Sequence, residues 1–192
     1  MASKPGERKL QILQTVAQML EQPKSEKITT AALAAKLELS EAALYRHFAS
    51  KAQMFEGLIE FIEQTVFGLI NKIIQEEKSG LQQVDAIVSM LLGFAQKNRG
   101  MTRVLIGDAL VNEDERLQQR INQLLDRIEA TLKQSLRMAV TQGEMGAATD
   151  VGAHANLLVC YVIGRWQQFA KSGFTRDPVA QWPAQSAVLL GK

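Results

Sequence analysis

The sequence has a single cysteine, Cys160, in 192 residues, which excludes a disulfide framework and any multi-cysteine metal site. Four prolines and 13 glycines are too few for a low-complexity or collagen-like chain. No apolar run reaches the roughly 18 residues that a membrane span requires. The N-terminus, MASKPGERKLQILQTV, has no uninterrupted apolar stretch followed by a small-residue cleavage site, so it does not read as a secretory signal. Neither GxxxxGK[ST], GxGxxG nor HExxH occurs, which leaves nucleotide-dependent and zinc-protease chemistry without a motif. These absences lead us to expect a soluble cytoplasmic chain with no metal, no cofactor and no membrane association. What is there is an ordinary globular composition, 46% hydrophobic and 22% charged.

The net charge of +2 hides an asymmetry. Up to Lys51 there are 8 basic and 5 acidic residues; beyond it there are 14 basic and 15 acidic. The positive excess therefore lies in the first quarter of the chain, as an anionic partner of that segment would require.

Helical periodicity recurs from end to end, and no stretch shows sustained period-two alternation. The expected fold class is all-α, with about nine helices and two domains, residues 1–50 and 51–192. The first helix runs over residues 7–20, with Leu10, Leu13, Val16, Ala17 and Leu20 on one stripe, and Pro23 stops it. Two short helices follow, over residues 31–37 and 41–48, then a long one from Lys51 capped by Ser50. That long helix carries Met54, Phe55, Leu58, Ile62, Val66, Leu69, Ile70 and Ile73 as apolar positions. Further helices are expected over residues 81–98, 102–111, 113–141, 149–171 and 177–190. Gly80, Gly100, Gly143 and Gly173 lie at the junctions. The one gap long enough for a mobile loop is residues 142–148.

Two short helices joined by a tight turn, with a packing helix before them, make a helix-turn-helix. Leu33, Leu37, Leu39, Leu44 and Phe48 can close a miniature core. Thr29 or Thr30 caps the first short helix and Ser40 the second. The outer face then offers Ala42, Tyr45, Arg46 and Ala49, small enough in part for the helix to enter a major groove. Tyr45, His47 and Lys51 are candidate phosphate contacts, helped by the dipole of the long helix. Arg46 is the side chain suited to bidentate contact with guanine.

The run Leu44, Tyr45, His47, Phe48 and Lys51 resembles the Leu-Tyr-x-His-Phe-x-x-Lys signature of TetR-type regulators. That resemblance implies a three-helix DNA-binding head and a C-terminal body that forms a homodimer through its last two helices. The runs LLGFAQKNRGMTRVLIGDAL and RINQLLDRIEA, outside the head, are similar to a nucleoid-occlusion branch of the family. The branch implies binding to palindromic sites in chromosomal double-stranded DNA, nucleoid association, possible higher-order assembly on DNA, and antagonism of the division protein FtsZ. Phe61, Leu69, Met90, Gly93, Lys97 and Asn98 match its partner-contact region. Leu69 stands where that branch places an arginine, and the arm ahead of the first helix offers Lys4, Arg8 and Lys9 as its basic residues. The alternative of the same fold is a ligand-responsive repressor with a small-molecule pocket in the body.

Other features have plainer readings. His154 lies in an apolar helix without a metal partner at the right spacing, and Cys160 reads as a buried thiol. Glu113, Asp114 and Glu115 read as negative charges favouring a helix start. No nucleophile or acid–base constellation appears, so an enzyme is not expected. The terminal helices carry Val162, Trp166, Phe169, Trp182 and Val188, more apolar surface than a monomer normally buries, and Trp166 is the expected interface residue.

Overall fold

The structure, a computed structural model, describes residues 5–22 and 28–191. Lys4 and Pro23 lie outside the described residues. The described chain contains nine α-helices and no strand: α1 Pro5–Leu20, α2 Thr30–Lys36, α3 Glu41–Tyr45, α4 Lys51–Glu76 and α5 Gly80–Lys97, then α6 Arg99–Leu105, α7 Glu115–Thr141, α8 Val151–Lys171 and α9 Trp182–Leu190. A short 3-10 turn, Asp108–Leu110, lies between α6 and α7. No described helix is long and apolar enough to cross a membrane. No group of three or more described His, Cys, Asp or Glu residues could hold a metal ion.

The chain divides into two compact units, residues 1–62 with 98–121, and residues 63–97 with 122–192. In the first, α1 packs on α6 and on α2. Ile12, Val16, Leu33, Leu44, Leu58, Ile59, Val104 and Ile121 form its interior. In the second, α5 packs on α8 and α9. Its interior holds Ile87, Leu91, Leu124, Leu132, Leu158, Val162 and Trp166.

Several boundaries differ from the sequence expectation, each for a local reason. Proline at a first helical position needs no hydrogen-bond partner for its nitrogen, so α1 begins at Pro5 and takes in Arg8 and Lys9. Those two cations are therefore helical residues: Arg8 donates to Gln11 Oε1 (2.8 Å) and Lys9 lies over the Phe48 ring. The third helix ends at Tyr45, where the chain tightens as the His47 amide bonds Leu44 O only three residues back (3.0 Å). Gly107, at φ 77°, stops α6 short of Val111. The ninth helix starts at Trp182, not Asp177, because the Asp177 and Pro178 carbonyls accept from the Arg165 guanidinium (2.8 and 3.2 Å). Asp150 caps α8, accepting from Ala153 N and Gly152 N, and these amides hold its carboxyl below the usual carboxylate range.

Gly100 lies at the junction of α5 and α6, as the second residue of α6, but its role is more than a stop. An added Cβ there would fall 1.9 Å from Ala17 O of α1. The segment 142–148, expected as a mobile loop, is tied down at its start. Gln142 Oε1 accepts from Gly80 N (2.8 Å) and Glu144 Oε2 from Leu81 N (2.9 Å), which caps α5.

The interface residues also move. Trp166 is wholly buried, its indole N–H donating to Leu91 O at 3.0 Å, so it belongs to the core of the second unit. Cys160 is exposed, because it lies on the outward face of α8, opposite Leu158, Val162 and Trp166. His154 is half-buried and donates from Nε2 to Leu189 O (2.6 Å), joining α8 to α9.

Gly100→Ala should destabilise the fold by roughly 1–3 kcal/mol, because backbone cannot move aside as a side chain can. A urea titration should show a lower midpoint at unchanged slope.

Candidate nucleic-acid interface

The turn of the helix-turn-helix is built by backbone geometry. Glu38 takes φ 55°, and the Leu39 amide turns back to Ala34 O at 2.9 Å. Thr29 caps α2, its hydroxyl accepting from Ala32 N at 3.1 Å, and Ser40 caps α3 by accepting from Ala43 N at 3.1 Å. Thr30 does not cap. Its hydroxyl donates to Glu41 Oε2 (2.7 Å) and so ties the start of α2 to the start of α3. Leu33, Leu37, Leu44 and Phe48 are buried beneath these helices, and Leu39 is half-buried at the rim.

That packing leaves Ala42, Tyr45, Arg46 and Ala49 exposed on the outer face, with Tyr45 at 44%. Arg46 is the C-cap residue of α3, and His47 beside it is half-buried. Ser50 and Gln53 then start α4 by reciprocal capping. Ser50 Oγ accepts from Gln53 N (3.1 Å), and Gln53 Oε1 accepts from Ala49 N (2.9 Å). The N-terminal dipole of a 26-residue helix thus meets the same outer face.

Lys51 departs from the expectation of an open cation. Its ammonium is paired with Glu113, ahead of α7, and lies 5.6 Å from the Phe55 ring centroid. Nothing in the spacing of two residues 62 positions apart signals that pair, so sequence reasoning missed it. Asp114 is the residue that caps α7, accepting from Arg116 N at 3.0 Å. Its carboxyl is held low by the Arg116 guanidinium and amide.

All eight DNA-contact candidates, Thr29, Thr30, Ser40, Ala42, Tyr45, Arg46, His47 and Lys51, lie in the first compact unit. The partner-contact candidates divide between the units. Phe61 and Asn98, both half-buried, belong to the first, with Asn98 at the N-cap of α6. Leu69, Met90, Gly93 and Lys97 belong to the second. Leu69 and Lys97 are exposed and Met90 is half-buried. An added Cβ at Gly93 would meet nothing within 4 Å. Leu69 is therefore surface rather than core.

α8 also has an outward face. Ala153, Leu157, Cys160 and Gly164 recur at alternating four- and three-residue spacing and are exposed. Leu157 is 52% exposed, and Val188 on α9 reaches 82%. The spacing is heptad-like.

Comparison with known proteins bears on both units. Residues 12–58 match the family model described as bacterial regulatory proteins, tetR family. Residues 78–192 match the tetracyclin repressor-like C-terminal domain, of the SlmA-like type. The nucleoid occlusion factor SlmA of Alteromonas mediterranea is 51% identical over 186 residues, covering 97% of this chain and 95% of that protein. The nucleoid occlusion factor SlmA of a Marinomonas species is 49% identical, covering 98% and 96%. Among solved structures, a TetR transcription regulator from Haloarcula marismortui superposes with a TM-score of 0.82 at 13% identity, covering 97% of each chain. These are regulators, not enzymes. A helix-turn-helix with an exposed outer face and near-full-length identity to curated relatives together show that this chain is a TetR-type DNA-binding regulator and belongs to the family of nucleoid occlusion factors SlmA.

Proposed function

We propose that this protein, as a homodimer on palindromic chromosomal sites, antagonises FtsZ assembly and so blocks division over the nucleoid. The observation that carries the reading is identity of about half the residues across nearly the whole chain, body included, with nucleoid occlusion factors. Similarity confined to the head would support only a DNA-binding regulator.

The head supplies the DNA chemistry. Arg46 reads guanine, while Tyr45, His47 and the capped start of α4 meet phosphates. Thr29, Thr30 and Ser40 act by fixing the helices, and Ala42 clears space for close approach. Two such heads favour half-sites about one to one and a half helical turns apart. The dimer forms through the outward face of α8 and α9. Leu157 and Val188 are its apolar anchors, and Ala153 and Gly164 let the partner helices approach. The FtsZ surface includes α5. There Lys97 in the last turn attracts an acidic tail, and the open surface at Gly93 admits peptide backbone. Met90 and Leu69 add apolar contact, and Phe61 and Asn98 are assigned to the same role by resemblance.

The rival reading, a ligand-responsive repressor, needs interior room for a ligand. Trp166 occupies part of the interior of the second unit, hydrogen-bonded to Leu91 O, and the room a ligand would use is a cavity of about 420 Å³ lined by Ile74, Gln83, Ser135 and Met138.

Arg46→Ala should lose about 1–3 kcal/mol of discrimination between the selected site and a scrambled duplex, read by fluorescence anisotropy. Leu157→Glu should give a folded monomer by light scattering, with much weaker operator binding, because the second half-site no longer gains from effective concentration. Sedimentation of FtsZ with the protein, with and without its selected DNA site, tests the division role. Lys97→Glu should abolish binding of a labelled FtsZ-tail peptide while operator affinity stays within about twofold, since Lys97 is not among the DNA-contact residues. Equal tail binding by wild type and Lys97→Glu would reject the α5 surface, and no tail binding by wild type would favour the ligand-responsive repressor.

A further inference from the structure

Lys51 begins α4, where the outer face of the recognition helix meets the start of the next. Its side chain is only 21% exposed and its partner Glu113 only 12%. The pair is therefore screened less by salt than a surface pair. Capping of α7 does not require Glu113, because Asp114 takes the Arg116 amide and guanidinium. Glu113 is held in place by its own backbone, its amide donating to Leu110 O (3.0 Å) just after Asn112 at φ 64°.

We propose that Glu113 is a determinant of DNA affinity, competing with the phosphate backbone for the Lys51 ammonium. The inference rests on the reading that α3 and the start of α4 dock on duplex DNA. A lysine ammonium is a point charge on a flexible stem, so it changes partner without moving the helix. When it turns to phosphate, Glu113 is left half-desolvated and close to a second anion. Binding thus breaks one ion pair to make another. The Lys51 contact then adds little net affinity and releases little bound counterion.

Glu113→Gln keeps the shape and removes the charge. Its affinity for the selected duplex at low salt should rise about three- to tenfold, and its log–log salt dependence should steepen by about one unit. Lys51→Met should cost little in the wild-type background and much more in the Glu113→Gln background. Both comparisons are made by fluorescence anisotropy across a salt series, with thermal melts showing that each variant folds. A Glu113→Gln protein of equal or lower affinity would overturn the proposal, because a carboxylate that only braced α4 would give that result. So would a full-unit loss of salt slope on Lys51→Met in the wild-type background. Insensitivity of wild-type binding to Arg46→Ala, or no duplex binding at all, instead removes the docking geometry on which the proposal stands.

Discussion

Backbone meets backbone where α6 crosses α1, and the first compact unit depends on that contact. A single methyl at Gly100 would fall 1.9 Å from Ala17 O, so the helices are as close as peptide groups allow. Met101, Val104 and Leu105 are buried around the crossing along with Val16 and Leu20. Residues 98–121 thereby become part of the head although they are distant from it in sequence. That attachment brings Glu113 to Lys51 and so pairs the cation at the N-terminal end of α4.

Much of this architecture was legible in the sequence because its signals are local. The apolar stripe of α4, the Ser40 and Ser50 caps, and the face of Ala42, Tyr45, Arg46 and Ala49 all follow from periods of three to four residues. The illegible parts were set by tertiary neighbours. Gly100 has the composition of a helix stop, yet its role is contact with α1. Arg165 gives no sign in the sequence that it takes the Asp177 and Pro178 carbonyls and delays α9. Among the candidate site residues, Thr30 and Lys51 turned out to be engaged by carboxylates, Glu41 and Glu113.

Size and hydrophobicity misled at the terminal helices. Trp166 is the larger apolar side chain and so drew attention as an interface residue, but a large side chain is as useful in a core. Its buried indole also needs an acceptor, which Leu91 O supplies within the same protomer. Dimerisation surfaces between helices favour residues that let helices approach, and the exposed face of α8 has that character in Ala153 and Gly164, with Leu157 between them.

A DNA-binding regulator faces a particular electrostatic constraint. Each phosphate contact strengthens binding to every sequence alike, and the competing non-specific sites outnumber the true ones by many orders of magnitude. Additional cations therefore raise occupancy of the wrong DNA as readily as the right DNA. In this chain the positive excess of the first quarter is small, Lys9 is spread over Phe48, and Lys51 is matched by Glu113. Arg46, by contrast, is exposed at the end of the recognition helix. On the reading proposed above, in which Arg46 reads bases and Lys51 meets phosphate, such an arrangement shifts the balance from affinity towards discrimination.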